Sequence, residues 1–574
     1  MDCNEIILSE NCLEFFVQYF PLENVPEFYG ADCIQNINAK YDIAYYMADE
    51  QRLINVQSES FSSNFFPRCF GLANDQVLEA TGIAALRRNP NLNLYGNGVI
   101  IGFVDSGIDF AEKTFRKADG TTRIIGAWNQ SDINGTPPEN FLYGSYYDEN
   151  TINTALAEEF PYQELPLNDE IQHGSYIAAM AAGTDTKIGI NEQMRFSGAA
   201  PQADIAYVKL KPAKQYLREY YYINEEAPCY QETDIVLGVK FLIELASRRK
   251  QPIVIVLALG TNLGGHDGSG ILEEYLRYVS GIIGSCIITA AGNEGGRALH
   301  FRKEYSDAAQ PGIQDTTYAQ IRVGANEKGF TLSMHSPFLA LYGISIISPS
   351  GQRIIRANIK TDTSEQFTFL FDGTRVFWDV YVSDRRTGGE TMVFRFDMPS
   401  QGVWEIGIVP EMLINNTYFD MWLPIHEFLS SETYFLNPYP DITITNPGNE
   451  GSIITVGGYD ITTGALYINS GRGFAANGII KPDIAAPAVD IEVPGELNLI
   501  YEITGTGMGA AVTAGAAALM LEWGIVMENV INMDTSTIRA MFIRGAKSPG
   551  VRVPDKGFGF GILDIYGAFQ SLIY

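Results

Sequence analysis

From Gly98 onwards, continuous apolar runs alternate along the chain with stretches of helical period. The apolar runs predict buried parallel strands, and they read GVIIGFVD, ADIAYVKLK, QPIVIVLALG and SCIITAAGN. The stretches between them, including ETDIVLGVKFLIELASRRK and LEEYLRYVSGI, have the apolar spacing of amphipathic helices. Strands that alternate with helices predict an α/β fold built on a parallel sheet.

Two other patterns flank and interrupt this one. Residues 1–80 mix short apolar runs with few glycines, which predicts a small α+β unit that we call the leader. Between about Gly312 and His426, short alternating segments such as RVFWDVYVSD are separated by Gly, Pro and Asp turns, which predicts an inserted antiparallel β-sandwich. We therefore expect a leader at 1–80, an N-terminal core segment at 81–312, a sandwich at 313–430 and a C-terminal core segment at 431–574.

Composition and charge narrow the function classes. The chain has 574 residues, 46% of them hydrophobic, with 39 Lys and Arg against 68 Asp and Glu, so its formal net charge is −29. That balance argues against nucleic-acid binding and against binding to anionic membrane surfaces. The sequence contains no uninterrupted run of about 18 apolar residues, so we expect no membrane span. The first residues, MDCNEIILSE, lack the basic start of a secretory signal, so we expect synthesis in the cytoplasm without a signal peptide.

The cysteines and acidic residues do not predict a metal or cofactor site. The six cysteines form no CxxC pair and none lies near a histidine at ligand spacing; they stand at positions 3, 12, 33, 69, 229 and 286. We expect free thiols that pack as small apolar side chains. Acidic residues show no calcium-loop spacing, and the glycine clusters lack the lysine of a phosphate-binding loop. We expect no cofactor and no metal.

Three polar residues at the ends of predicted elements suggest acyl-transfer chemistry. Asp105 ends a buried strand in VDSGID, and Asn293 follows another in ITAAGNEGG. His173 opens a helix rich in Ala and Gly in HGSYIAAMAAGT. An Asp that orients an imidazole and an Asn amide that stabilises an oxyanion are parts of one catalytic site. The nucleophile should begin a later helix, where backbone N–H groups point outward.

The order of these motifs resembles that of the subtilisin-like serine proteases (subtilases). Residues 105–107 match the family's D-[ST]-G motif, residues 173–175 match H-G-[ST], and residues 291–293 match the oxyanion Asn motif. The family's nucleophile motif, G-T-S-[MA]-[AS]-[AS], is represented by GTGMGA at 505–510. Gly507 therefore stands where the resemblance implies the catalytic serine.

The resemblance narrows to the Csp-type subtilases of clostridial spore-formers, which act in spore germination. The segments that carry it are VKLKP, LGTNLGGHDGSG and SGRGFAANGIIKPDIAAP, together with the short leader and the sandwich. It implies that the leader is a prodomain and that the sandwich is a jelly roll. Because Gly507 stands in place of the serine, we expect that the chain cannot cut itself and that the prodomain stays in the cleft. Active members cut off their prodomain and activate a cortex-lytic enzyme precursor; others are pseudoproteases. The implied partners are the chain's own prodomain, another Csp-type protease or that precursor, and the implied location is the spore.

Glycine at position 507 offers no nucleophile, and its neighbours do not replace one. A shift of one residue turns Thr506 by about 100° around the helix, and Thr513 lies nearly two turns further on. We therefore predict little or no peptidase activity. Gly507 has two possible origins: a natural replacement of the serine, or a change introduced to inactivate a serine endopeptidase. Gly509 and Ala511 favour the natural replacement, because they also depart from the family's motif. A binding role of the sandwich, for a small molecule or a protein, is a third hypothesis.

The resemblance also implies a substrate groove with a backbone edge on each side. We assign these edges to Tyr207, Val208 and Lys209 and to Leu257, Ala258, Leu259 and Gly260. His266, in GGHDGSG, is interpreted either as a residue of the cleft wall or as a turn residue. The remaining histidines are scattered, and we expect structural roles for His300, His335 and His426.

Overall fold

The computed structural model describes residues 2–18, 31–38, 41–48, 69–72, 78, 80–188, 194–305, 316–337, 340–356, 363–381, 388–413, 417–496 and 499–572. In these residues the leader contains the elements α1 (Cys3–Leu8), β1 (Cys12–Gln18), β2 (Cys33–Asn36), β3 (Tyr41–Met47) and β4 (Cys69–Leu72). Strands β1, β3 and β2 form an antiparallel sheet in that order. The Asp2 side chain accepts the Glu5 N–H, and this capping box starts α1.

A disulfide between Cys3 and Cys33 joins α1 to β2, with 5.8 Å between the two Cα atoms. The expectation that all the cysteines are free thiols is therefore wrong for this pair. The pairing depends on how α1 packs on the sheet, which cysteine spacing does not reveal. Cys12, Cys229 and Cys286 are free and buried, in keeping with their expected role as small apolar side chains.

The N-terminal core segment holds most of the elements that the apolar runs predict. Its helices are α2 (Ile83–Arg88), α3 (Glu149–Leu156), α4 (Pro161–Glu164), α5 (His173–Ala182), α6 (Gln215–Tyr220), α7 (Glu232–Arg249) and α8 (Ile271–Ser280). Its strands are β5 (Ile100–Asp105), β6 (Ile124–Asn129), β7 (Ser145–Asp148), β8 (Thr186–Ile188), β9 (Met194–Phe196), β10 (Asp204–Lys209), β11 (Tyr230–Gln231), β12 (Ile253–Leu257), β13 (Leu259–Gly260) and β14 (Ser285–Ala290).

The sandwich consists of two antiparallel sheets that enclose their own apolar core. Its strands are β15 (His300–Glu304), β16 (Thr317–Val323), β17 (Gly329–Ser336), β18 (Leu341–Ile347), β19 (Arg353–Arg356), β20 (Thr363–Phe369), β21 (Thr374–Tyr381), β22 (Glu390–Asp397), β23 (Gly402–Met412), β24 (Tyr418–Trp422) and β25 (Tyr434–Phe435). It extends beyond the expected range 313–430 at both ends, because β15 pairs with β24 and β25 pairs with β16. Neither short strand shows a clear alternation of apolar and polar residues.

The C-terminal core segment completes the sheet and adds the central helix. Its elements are β26 (Ile454–Tyr459), β27 (Ile484–Pro487), β28 (Ile491–Pro494), β29 (Ile500–Ile503), α9 (Thr506–Leu521), α10 (Thr535–Gly545) and α11 (Ile565–Gln570). The main sheet has the order β27-β26-β14-β12-β5-β10-β6-β7, and every pair in it is parallel except β6–β7. The predicted α/β fold with a parallel sheet is confirmed.

Helix α9 lies inside the core, and all of its residues are buried. With its continuation to Val526 it is long and apolar enough to cross a membrane, although the sequence pattern predicted no span. The most apolar window of this segment is 83% buried within the protein. It contacts α5 and the main sheet, so its apolar character is that of a core helix.

Candidate active site

Asp105 and His173 form a buried hydrogen-bonded pair at the carboxyl edge of the main sheet. Asp105 is the last residue of β5 and His173 the first residue of α5. His173 Nδ1 lies 2.7 Å from Asp105 Oδ1, and each residue is only 2% exposed. A carboxylate held at this distance fixes the orientation of the imidazole ring, as a catalytic pair requires.

A second carboxylate, Asp169, supports this pair from the adjoining segment. Asp105 Oδ1 accepts the Ser106 N–H at 2.7 Å, and the Ser106 hydroxyl donates to Asp169 Oδ1 at 2.8 Å. The other oxygen of Asp169 accepts the Ser175 N–H in the first turn of α5. Burial raises the pKa of Asp169 to about 6, and the neighbouring charge of Asp105 adds to the rise. Sequence reasoning missed Asp169 because it lies in an irregular segment.

Gly174 is sterically required beside His173. A Cβ atom there would overlap Tyr207 Oη and would lie 2.5 Å from the Gly107 carbonyl oxygen. The Gly174 N–H also donates to Ser106 Oγ at 3.1 Å, so the backbone comes close to the Asp105 loop. The glycine of the H-G pair thus lets α5 begin directly against the strand that carries Asp105.

Asn293 contacts the start of α9. Its Oδ1 accepts the Thr506 N–H at 3.0 Å, and Thr506 Oγ1 accepts the Gly292 N–H at 3.0 Å. Among the residues that the structure describes, none accepts a hydrogen bond from Asn293 Nδ2. The donor group of this side chain is therefore available for an oxyanion.

Gly507 is the second residue of α9, directly after the residue that binds Asn293. The helix is preceded by Gly505, whose φ of 154° is tolerated best by glycine. The N-terminus of this buried helix therefore reaches the oxyanion side of the site. At position 507 it presents backbone only.

A contact between the core and the sandwich holds the loop after Asn293. The Glu294 carboxylate accepts the His426 N–H at 3.1 Å and lies 3.1 Å from His426 Nδ1. Burial alone would lower the pKa of His426, but the Glu294 carboxylate raises it. The next residue, Glu427, has a pKa raised by burial and lies within the electrostatic reach of His173. The sequence indicated only an unspecified structural role for His426.

The groove edge expected at Tyr207, Val208 and Lys209 is not an edge. These residues belong to β10, which pairs with β5 on one side and with β6 on the other. Tyr207 is fully buried, and its hydroxyl accepts the Gly107 N–H. Lys209 Nζ donates to the Asn168 carbonyl at 2.7 Å. The expectation was wrong because a buried strand has the same run of apolar residues in its sequence whether one or both of its edges are paired.

A three-stranded antiparallel sheet of order β11-β4-β13 stands where the groove was expected. Strand β4 of the leader pairs with β11 through Tyr230 opposite Phe70, and with β13 through Gly260 opposite Gly71. We call β11 and β13 the groove strands. Leu259 and Gly260 thus form one of them, whereas Leu257 ends β12 and Ala258 lies between the two strands. The other groove strand, Tyr230–Gln231, was missed because two residues carry no strand period.

Three further histidines, His266, His300 and His335, surround the Trp422 ring. His266 is fully buried and stacks on Trp422 with ring centroids 4.2 Å apart, so it does not line a cleft. Burial lowers its pKa to about 3. His300 stacks on Trp422 as well, at 4.8 Å, and His335 lies 5.8 Å from the same ring. Across the described ranges, no group of three or more His, Cys, Asp or Glu side chains is placed to hold a metal ion.

The chain is similar to known proteins in sequence and in fold. The model of the subtilase family (peptidase S8) matches residues 96–374 and 438–561. The solved CspB protease of Clostridium perfringens superimposes with a TM-score of 0.74 at 28% sequence identity, covering 86% of this chain and 96% of that one.

Two curated relatives are more distant. The C5a peptidase of Streptococcus pyogenes is 21% identical over 455 residues, which are 74% of this chain and 35% of that protein. The mouse membrane-bound transcription factor site-1 protease is 27% identical over 136 residues, which are 23% of this chain and 12% of that protein. The chain thus spans a minor part of the length of both. By its motifs, its fold and the family match over most of its length, the chain belongs to the subtilase family, with the fold of the CspB protease.

Proposed function

We propose that this chain is a CspB-type pseudoprotease that regulates spore germination or senses its signals. The observation that supports the proposal is the glycine at residue 507 of GTGMGA, directly after Thr506, whose N–H bonds to Asn293. The hydrogen bond between Asp105 and His173 is present as well. His173 can accept a proton, but residue 507 has no hydroxyl to supply one. In subtilisin, loss of the nucleophile lowers kcat about 10⁶-fold, and the remainder comes from the oxyanion hole and substrate binding.

The leader is the first partner in this proposal, and it stays in the substrate groove. Its strand β4 pairs with both groove strands, in the manner of an extended peptide added to open sheet edges. Its Glu14 is buried against Lys211 of the core at 2.9 Å. A chain without a nucleophile cannot cut itself, so the leader would remain covalently attached and block the groove.

Restoring the nucleophile tests the proposal. We expect the unmodified protein to purify as one full-length band that a fluorophosphonate probe does not label. We expect Gly507→Ser to react with the probe and to acquire a new N-terminus after Leu72 and before Ile83, since β4 lies in the groove and α2 packs on the core. The double variant Gly507→Ser/His173→Ala is the matched control and should do neither. Strong labelling of the unmodified protein would contradict the proposal.

A second candidate is a Csp-type serine endopeptidase, acting on a cortex-lytic enzyme precursor, of which this chain is an inactive variant. The intact Asp105–His173 hydrogen bond and the available Asn293 amide favour it, because a site freed from catalysis need not keep them. A serine codon at position 507 of the native gene would establish this alternative.

Germination of mutant spores distinguishes the two candidate functions. For a pseudoprotease, deleting the gene should impair germination, whereas spores that carry His173→Ala should germinate normally. For an endopeptidase, the serine form should restore germination and His173→Ala in that form should abolish it. Normal germination of the deletion strain would remove the germination role from both.

A further inference from the structure

A cavity of about 270 Å³ lies where helix α6 and the loop after it face the sandwich strands β21 and β22. Among its lining residues are four cations, Arg218, Lys328, Arg375 and Arg395. Three carboxylates, those of Glu219, Glu225 and Asp397, line the same cavity, so its lining carries one positive charge in excess. The cavity lies on a different part of the molecule from the Asp105–His173 pair, and the proposed function does not use it.

Arg395 is the central feature of this cavity. It is 1% exposed, and its guanidinium carbon lies 4.0 Å from the centre of the Tyr220 ring and 4.7 Å from that of Phe377. Two aromatic contacts fix the guanidinium plane and leave its N–H groups at the edge. Arg395 Nε and Nη2 are buried and have no hydrogen-bond partner among the described residues. A buried cation without hydrogen bonds is costly unless an anion or water binds it.

The three carboxylates that line the cavity have other partners. Glu219 accepts a hydrogen bond from the Gln215 side chain at 2.9 Å. Lys328 is paired with Glu225 at 2.6 Å, and Arg375 is paired with Asp397. Arg218 donates to three backbone carbonyls, of which that of Asn224 is 2.8 Å away.

A buried carboxylate, Asp379, lies within electrostatic reach of Arg395, whose charge lowers the Asp379 pKa against the larger effect of burial. Asp379 accepts the Ser364 hydroxyl at 2.6 Å, and its pKa is raised by burial, so the protein disfavours its charged form. Within the described part of the chain, its Oδ2 makes no hydrogen bond and Arg395 forms no ion pair with it. The Arg395 guanidinium is therefore a preorganised donor group that forms no ion pair with any carboxylate of the described residues.

We propose that this cavity binds a small organic carboxylate with an aromatic or apolar body. The carboxylate would form a charge-assisted contact with the Arg395 guanidinium where that side chain lines the cavity. The body would lie against Tyr222 and Ile223, which line the same cavity. The volume suits one ring with its carboxylate, at the small end of ligand sites. This deepens the proposed sensing role, although binding here does not depend on residue 507.

Ligand-observed ¹⁹F NMR on the full chain tests the site, with 4-fluorobenzoate as the probe and the uncharged 4-fluorobenzamide as its matched control. We expect line broadening for the acid only. Arg395→Met should weaken binding about tenfold or more, since a charged hydrogen bond is lost, and Lys328→Met should weaken it a few-fold through charge alone. Arg353→Met, the same change at another sandwich arginine away from the cavity, should leave the affinity unchanged.

The Tm of each variant distinguishes lost binding from unfolding. Because Arg395 is buried without hydrogen bonds from its Nε and Nη2 atoms to described residues, Arg395→Met should keep or raise the Tm of the protein, so lost binding would not reflect unfolding. Gly507→Ser should bind the probe like the unmodified chain even if the proposed function fails. Equal responses to acid and amide, no response to the acid, or unchanged binding by Arg395→Met would each overturn the proposal.

Discussion

Asp169, beside the Asp105–His173 pair, makes the stability of the fold depend on pH. It is 1% exposed and shares the Ser106 hydroxyl with Asp105, so its negative charge is placed beside another carboxylate. Its pKa is about 6 in the folded protein, against an ordinary value of 3.8. The folded state therefore holds a proton on Asp169 that the unfolded state releases between these pH values.

Asp169→Asn should remove this pH dependence. A raised folded pKa stabilises the fold below the ordinary pKa, and that stability is lost as pH rises to about 6. Relative to Asp169→Asn, the unmodified protein should lose about 2–3 kcal/mol of unfolding free energy between pH 4 and pH 7. Urea titrations at both pH values would measure this. A difference between the two proteins that does not change with pH would contradict it.

Gly174→Ala should separate His173 from Asp105. The new Cβ would overlap Tyr207 Oη and the Gly107 carbonyl, so the start of α5 has to move. A displacement of about 1 Å at a catalytic group costs about a hundredfold in rate. In the Gly507→Ser protein, we expect Gly174→Ala to slow fluorophosphonate labelling by that order. Gly281→Ala, whose Cβ has only the Tyr278 carbonyl oxygen within 4 Å, at 3.8 Å, is the control and should label normally.

Among the elements, β4 has the most direct bearing on function. It is a short strand of the leader, and both of its neighbours belong to the core. Its hydrogen bonds are between backbone groups, so they depend on an extended conformation rather than on particular side chains. The groove strands would have unpaired edges without it.

Gly71→Pro should loosen this sheet. Proline removes an N–H group and its ring prevents close pairing in the middle of a sheet. We expect faster hydrogen exchange in peptides that cover 69–72 and 259–260, measured by mass spectrometry. Peptides from β26, in the interior of the main sheet, serve as the internal control. Unchanged exchange at 259–260 would show that β4 does not protect the groove strand.

At the scale of the whole molecule, a buried ion network fastens the leader to the core. Glu14 of β1 is fully buried, and its carboxylate binds Lys211 at 2.9 Å and Thr233 at 2.8 Å. Lys211 also pairs with Asp234 at 2.7 Å, and Lys214 donates to two carbonyls at the end of α1. Burial alone would raise the pKa of Glu14, but the two lysines lower it. The attached form of the leader is thus stabilised by charge as well as by packing.

Glu14→Gln should weaken this attachment. The change keeps the shape of the side chain but leaves buried lysines with less negative charge, at a cost of about 3 kcal/mol. In the self-cleaved Gly507→Ser protein, we expect the leader to co-purify with the core and to be lost in the Glu14→Gln variant. Glu139→Gln, at a carboxylate whose side chain is 76% exposed, should retain it. Retention in both variants would place the attachment elsewhere, in the disulfide-linked sheet or in β4.

The apolar runs were sufficient to predict the parallel sheet, the inserted antiparallel strands, and the places of Asp105, His173 and Asn293 at the ends of elements. These features are local, because a buried strand and the polar residue at its end are adjacent in the chain. Tertiary structure alone decided the rest: the paired state of β10, the insertion of β4 between the groove strands, the Cys3–Cys33 bond and the contact of Arg395 with the Tyr220 ring. Each depends on contacts between residues far apart in sequence, and neither spacing nor composition records which segments meet.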